Sequence, residues 1–198
     1  PGTRLVAKIE MLEAMENLEE IVKASDCIMV ARGDLAVEVG QSLLPSMQKK
    51  IIRMANLHKK PVITATQMLD SMVENPRPTR AEITDVANAV IDGSDALMLS
   101  AESASGKYPF KCIQTMHEII HEVERTGDFY YDISFTESFN DIAEGIAASA
   151  CLTALKLDAA VIVCLTTTGR TATLISSFRP KAKIIAVTSF LETLNRLE

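Results

Sequence analysis

Four short apolar runs punctuate the first half of the chain, and each ends on polar residues. They are Leu5-Val6-Ala7-Lys8-Ile9-Glu10, Ile28-Met29-Val30-Ala31-Arg32-Gly33-Asp34-Leu35, Pro61-Val62-Ile63-Thr64-Ala65-Thr66-Gln67-Met68 and Ala96-Leu97-Met98-Leu99-Ser100-Ala101-Glu102. Near-continuous apolar runs of this length are strands of a parallel sheet covered on both faces, and their polar ends gather at its C-terminal rim. The pairs Lys8/Glu10, Arg32/Asp34, Thr64/Thr66 and Ser100/Glu102 are all expected there, where α/β sheets and barrels build their sites.

Helical periodicity fills the gaps. Met11, Leu12, Met15, Leu18, Ile21 and Val22 recur at three- and four-residue spacing with glutamates interleaved, which predicts one amphipathic helix. Leu35 to Gln48 reads as loop and helix start, and Met47, Ile51, Ile52, Met54, Ala55 and Leu57 carry that helix to the third strand. Pro76 and Pro78 bar regular structure, whereas Thr79 with Glu82 forms a capping box for a helix through Val86, Ala89 and Val90. A further helix, from Pro109 to about Arg125, carries Ile113, Met116, Ile120 and Val123 on one side. Strand and helix thus alternate as in half of a (β/α)8 barrel, or as in part of an open doubly wound sheet.

The periodicity stops after that helix, so a first domain at 1–126, a connection at 127–140 and a second domain at 141–198 are expected. The second part opens on a small-residue helix, Asp141 to Lys156. A buried strand from Ala159 to Leu165, a Thr-rich turn, a helix holding Leu174, Ile175 and Phe178, and a strand Ile184-Ile185-Ala186-Val187 complete a βαβ unit. Two strands make no finished sheet, so the fold is expected to continue past Glu198.

A formal charge of -6 argues against a nucleic-acid or anionic-membrane surface, so an anionic ligand must be met by a local cluster. No run reaches the roughly 20 apolar residues of a membrane span. Cys27, Cys112, Cys151 and Cys164 lie in apolar surroundings without a Cys-x-x-Cys pair, which suits reduced thiols and a cytoplasmic setting.

Lys8 and Glu10 stand two apart on a strand and share one face. Glu10 and Asp34 end consecutive strands and offer two hard oxygen ligands, which suits magnesium or manganese better than zinc. With Lys8 as a fixed cation and the Thr66 hydroxyl nearby, such a site stabilises a transferring phosphoryl group or an enolate. Gly33 lets the backbone come close, and its N–H with that of Asp34 suits a carboxylate. Thr166-Thr167-Thr168-Gly169-Arg170-Thr171 joins a strand to a helix and has the parts of a phosphate cradle, or of a Thr-rich turn with ordinary capping. His117-Glu118-Ile119-Ile120-His121 matches the zinc pattern H-E-x-x-H, yet only the distant Glu137 or Glu144 could supply a third ligand. The apolar side of that helix leaves both histidines on its polar edge, as on a solvated helix.

The motifs Lys8-Ile9-Glu10, Met29 through Leu35, Ala65-Thr66-Gln67-Met68, Pro78 through Glu82 with Asp85 through Val90, and Leu99-Ser100-Ala101-Glu102 together resemble the pyruvate kinase family. The resemblance implies the last four βα units of a (β/α)8 TIM barrel, followed by part of an α/β three-layer regulatory domain. It implies phosphoryl transfer from phosphoenolpyruvate to ADP, giving pyruvate and ATP. Lys8 would stabilise the transition state, Glu10 and Asp34 would hold Mg²⁺ or Mn²⁺, Gly33 and Asp34 would hold the substrate carboxylate, and Thr66 would lie on the proton route to the enolate. K⁺ would be bound by residues outside this chain, as would much of the nucleotide. The loop at Thr166 through Thr171 would take a phosphorylated sugar or nucleotide effector, in a cytoplasmic homotetramer. The chain departs from the family pattern at Met11, Ala36, Ala101, Ser103 and Thr167, none of which is a metal ligand. Other readings are a non-catalytic phosphate-sensing module and a zinc hydrolase on His117 and His121. By the resemblance the chain lacks the earlier barrel strands and the lid, so alone it is expected to be inactive.

Overall fold

The computed structural model describes residues 3–126 and 141–197, and the expected connection at 127–140 lies outside them. From the first apolar runs the chain builds β1 (Val6–Ile9), α1 (Leu12–Glu16), α2 (Leu18–Ala24), β2 (Cys27–Ala31), α3 (Arg32–Val39), α4 (Leu44–Leu57) and β3 (Val62–Ala65). A 3-10 turn (Asp70–Val73), α5 (Arg80–Ile91), β4 (Ala96–Met98), α6 (Ala101–Ala104) and α7 (Pro109–Thr126) follow. All pairings are parallel and the order is β1-β2-β3-β4, each strand beside its sequence neighbour. An open doubly wound sheet would reverse its order at a switch point, so this order is that of a barrel arc.

Register decides which residues face where. Ile9 lies beside Val30, Ile28 beside Val62, and Val30 beside Thr64. That face is fully buried: Ile9, Ile28, Val30 and Val62 pack with Leu18, Val22, Leu35, Ile51, Ile52 and Ala55 from the helical layer. Burying each aliphatic side chain contributes roughly 1.5–3 kcal/mol. The opposite row runs Lys8, Met29, Ile63, Ala96, and among the described residues it is only partly covered. A second cluster holds Met68, Leu69 and Met72 against Val86, Ala89, Cys112 and Met116 of α5 and α7.

Two local expectations change. The single helix expected through Met11 to Val22 is broken at Asn17, whose backbone N–H and Nδ2 both donate to the Glu13 carbonyl, at 3.3 and 3.0 Å. A short amide side chain competing with the helical ladder ends a turn in this way. The loop expected from Leu35 is instead the body of α3, which starts directly at Arg32, buries Leu35 and stops at Gly40 with φ 83°.

The chain divides into two compact units, Pro1–Gly127 and Asp128–Glu198. The second holds α8 (Ile142–Lys156), β5 (Val161–Leu165), α9 (Arg170–Ser177), β6 (Lys183–Val187) and α10 (Leu191–Leu197), the last unforeseen in the sequence pattern. Alternation along the parallel pair turns Ile162, Cys164, Ile184 and Ala186 onto Ala147, Cys151, Ala172 and Ile175. Burial pushes the Cys151 thiol up to about 11, and all four cysteines are free. Val161, Val163, Leu165, Ile185 and Val187 form the other face and are 42 to 79% exposed, so the described residues show two layers of the three that the resemblance implies.

The capping box at α5 is present and does more than end a helix. The Glu82 carboxylate accepts the N–H groups of Ser71 and Thr79, both at 2.7 Å, and their hydroxyls at 2.6 and 2.8 Å. Burial works to raise its pKa, yet these bonds from Ser71 and Thr79 outweigh burial and hold it below the usual glutamate range. Its stabilising share is therefore full above the ordinary value of 4.5 and is lost as pH falls through the lower folded value. Glu82→Gln is expected to lower stability at neutral pH, with the gap to wild type narrowing below pH 4.5 in urea denaturation. A gap that stays constant down to pH 3 would show that the charge is not used.

Candidate functional site

Lys8 and Glu10 leave the partly covered face of the sheet at the C-terminal end of β1, and Asp34 stands in the first turn of α3 at the end of β2. The Lys8 ammonium donates to Asp34 Oδ2 at 3.2 Å and forms an ion pair with Glu10 Oε2. That oxygen is shut off from solvent, and the Lys8 ammonium is the group that meets it. Hydrogen bonds to Glu10 first and Asp34 second hold the Lys8 pKa above the usual lysine range. Lys8 is thus a fixed cation at neutral pH.

At the end of β3 the Thr66 hydroxyl accepts the Gly33 N–H at 2.9 Å and donates to the Ala65 carbonyl at 2.7 Å. Because Gly33 precedes Asp34, this bond ties Thr66 to the Lys8, Glu10 and Asp34 group. The structure brings together all five residues expected in the first unit: Lys8, Glu10, Gly33, Asp34 and Thr66. The Gly33 N–H, expected to be open for a carboxylate, is here committed to Thr66.

Other rim residues turn inward. Arg32 was expected beside Asp34, since residues two apart on a strand share a face. In a helix they point nearly opposite ways, and because α3 begins at Arg32 its side chain is buried, the guanidinium bonded to Thr66, Gln67, Gln48 and Asp85. Thr64 faces the helical layer and shares a 2.7 Å hydrogen bond with Ser94. Glu102 is buried, and its carboxylate accepts the N–H groups of Ser100 at 2.7 Å and Leu69 at 3.2 Å. Thr66 and Gln67 have φ of 72° and 53°. Left-handed backbone at non-glycine residues costs on the order of 1–3 kcal/mol each, and is disfavoured most at a β-branched residue such as threonine.

In the second unit, the loop from Thr166 through Thr171 joins β5 to α9. Thr167, Thr168, Arg170 and Thr171 are exposed, while the Thr167 carbonyl accepts the Thr193 hydroxyl of α10 at 2.8 Å. Arg170 forms an ion pair with Asp141, whose carboxylate also caps α8 by accepting the Glu144 N–H at 2.8 Å. That bond from Glu144 comes first, and the Arg170 guanidinium adds to it, in holding the Asp141 pKa below the usual range. Asp141 was not expected at this loop, because it is the cap of α8, whose packing no local pattern reveals. His117 and His121 are exposed on α7 with ring centroids 6.1 Å apart, and among the described residues no three His, Cys, Asp or Glu side chains cluster as metal ligands. Glu137 lies outside the described residues.

The sequence pattern of the family described as "Pyruvate kinase, barrel domain" matches residues 1–113. The chain belongs to the pyruvate kinase family. The pattern described as "Pyruvate kinase, alpha/beta domain" matches residues 144–198. A pyruvate kinase of Geobacillus stearothermophilus is 50% identical over 188 residues, covering 94% of this chain and 32% of that protein. One from Dictyostelium discoideum is 49% identical over 98% of this chain and 40% of its own length. A crystal structure of a pyruvate kinase from Cryptosporidium parvum superposes with a TM-score of 0.91 at 44% identity, covering 96% of this chain and 39% of that one. The chain therefore spans about a third to two fifths of the length of the pyruvate kinases it matches. Nothing in these matches favours a zinc hydrolase or a stand-alone sensing module.

In the pyruvate kinase loop at 166–171, Gly169 has φ 78°, and a Cβ there would meet Arg196 Nη2 at 2.7 Å and Leu197 Cδ2 at 3.1 Å. The arginine tip can swing away, but the backbone conformation cannot be relieved. Gly169→Ala is expected to destabilise the second unit by about 1–2 kcal/mol, read as a lower urea midpoint. An unchanged midpoint would mean that the loop is free to rearrange.

Proposed function

We propose that this chain is the part of a pyruvate kinase that carries the divalent metal ligands and the lysine of the phosphoryl-transfer site. The observation that supports this most is the Lys8 ammonium held between the carboxylates of Glu10 and Asp34 at the ends of neighbouring parallel strands. Glu10 Oε2, shut off from solvent beside the Lys8 ammonium, and the exposed Asp34 carboxylate suit a hard cation completed by water and substrate oxygens. Glu10 and Asp34 would hold Mg²⁺ or Mn²⁺, which when bound supplies positive charge to phosphoryl and carboxylate oxygens.

In the reaction the bond from phosphorus to the enol oxygen of phosphoenolpyruvate breaks and a bond to the terminal phosphate oxygen of ADP forms. The enolate left behind takes a proton on its methylene carbon to give pyruvate. Lys8, kept charged by its two carboxylates, places a positive group beside the phosphoryl oxygens and the developing enolate. The first-turn N–H of Asp34 faces the substrate carboxylate, while the Gly33 N–H stays on the Thr66 hydroxyl. Thr66 Oγ1, steadied by Gly33 and Ala65, lies on the route of the proton. Positioning supplies most of phosphoryl-transfer catalysis, so turnover needs the K⁺ ligands and nucleotide lid that the family carries elsewhere.

Within the same reading, the loop from Thr166 through Thr171 takes a phosphorylated sugar or nucleotide effector. Exposed hydroxyls, an arginine and the start of α9 support this, with Asp141 as the group that must release Arg170. A cytoplasmic homotetramer is the assembly proposed, and among the described residues no helix is long and apolar enough to cross a membrane.

In a full-length pyruvate kinase carrying this sequence, Glu10→Ala and Asp34→Ala are each expected to lower Mg²⁺-dependent turnover by at least about 100-fold and to weaken Mn²⁺ binding, with the circular dichroism spectrum unchanged. Turnover at the wild-type rate in either variant would refute the assignment. Calorimetric titration with inorganic phosphate is expected to show about tenfold weaker binding in Arg170→Ala. Equal affinity in the two proteins would leave the loop an ordinary turn.

A further inference from the structure

We propose that Arg32 is a positioning residue of this site: it holds the backbone of Thr66 and Gln67 in the left-handed turn that keeps the Thr66 hydroxyl on Gly33. The inference rests on the pyruvate kinase reading above. Arg32 is 6% exposed and its side chain leaves the rim, so it acts through Thr66 and not on substrate. Its Nε and Nη2 both donate to the Thr66 carbonyl, at 3.2 and 2.7 Å, and Nη2 also donates to the Gln67 carbonyl at 3.1 Å. On the other side of the fork, Nη1 donates to Asp85 at 2.8 Å and to Gln48 at 3.4 Å, which balances the buried charge and fixes the plane of the guanidinium.

These are the carbonyls of the two consecutive residues whose φ values are 72° and 53°. A threonine and a glutamine do not adopt that conformation unaided, and strained backbone persists only where its surroundings over-determine it. Two carbonyls gripped by one rigid donor group supply the constraint. Glu102 supplies another downstream, accepting the Leu69 N–H at 3.2 Å. Release the grip and φ at Thr66 and Gln67 relaxes toward negative values, the Thr66 Cα–Cβ bond swings, and Oγ1 leaves the Gly33 N–H. Lysine carries the same charge but a single point of donation, so it cannot reproduce two carbonyl contacts together with the Asp85 and Gln48 contacts.

The test uses a full-length pyruvate kinase carrying this sequence, with Arg32→Lys, Gln67→Gly and the double variant. Gln67 is exposed, its side chain takes no part in the proposed chemistry, and glycine at φ 53° needs no enforcement. Arg32→Lys is expected to fold and to lose about 100-fold in kcat, with the KM for phosphoenolpyruvate moved far less. Gln67→Gly alone should leave kcat within about twofold, whereas in the Arg32→Lys background it should recover about tenfold and raise the melting temperature more than it does in wild type. A general structural role for Arg32 would lower the melting temperature without that selective rescue. Wild-type kcat in Arg32→Lys, or no rescue by Gln67→Gly, overturns the proposal. If Arg32→Lys does not yield folded protein, Asp85→Asn loosens the guanidinium in place, and wild-type kcat there also overturns it. Absence of pyruvate kinase turnover in the wild-type protein would count against the functional reading instead, and the melting-temperature comparison of the four proteins would still decide the role of Arg32.

Discussion

Parallel pairing of β1 with β2, with Lys8 opposite Met29 and Ile9 opposite Val30, is the constraint on which the first unit depends. Side chains alternate across a strand, so a slip of one residue would send Lys8 and Glu10 into the helical layer and bring Ile9 to the rim. Ile9, Ile28, Val30 and Val62 on the buried face make that slip prohibitive. The same aliphatic packing that stabilises the sheet therefore aims an ammonium and a carboxylate at one end of it. Asp34 then needs only the turn from β2 into α3 to meet Lys8 at 3.2 Å.

That turn has no intervening loop. Helix α3 starts at the first residue after β2, so three consecutive residues divide among three tasks. Arg32 is carried into the interior, Gly33 offers its N–H to Thr66, and Asp34 stands at the rim. Charge follows the same logic. The buried guanidinium is neutralised by Asp85 and tied to carbonyls of the next strand's exit, while at the rim a single lysine stands between two carboxylates and leaves a net negative charge. The site and its support belong to one network, linked through the backbone of Thr66.

The second unit reuses a β-to-α junction with different contents. The first junction places a carboxylate at the rim. The second displays hydroxyls and an arginine, Thr167, Thr168, Arg170 and Thr171, around the left-handed Gly169. Its arginine is held by Asp141, and its Thr167 carbonyl by Thr193 of α10. Val161, Val163, Leu165, Ile185 and Val187 remain exposed on the far side of β5 and β6, an apolar row that no described element covers.

Periodicity made much of this legible. Apolar runs with polar ends marked all four strands of the first unit, Thr79 and Glu82 marked the start of α5, and the residue types at Lys8, Glu10, Gly33, Asp34 and Thr66 pointed to anionic chemistry before any contact was known. Those features are local: they depend on which face of a strand a residue occupies, or on which side chain can reach a free N–H within one turn. What the tertiary structure decided was direction and partnership. Arg32 reads as a rim residue if the strand continues and as a buried one if a helix begins, and α3 begins there. Thr64 and Glu102 turn inward because Ser94, Ser100 and Leu69 wait for them there. Thr66 and Gln67 take positive φ against their own preferences because carbonyl bonds from a residue on another strand's exit hold them. Local sequence states what a backbone prefers, and only packing between distant segments can make it do otherwise.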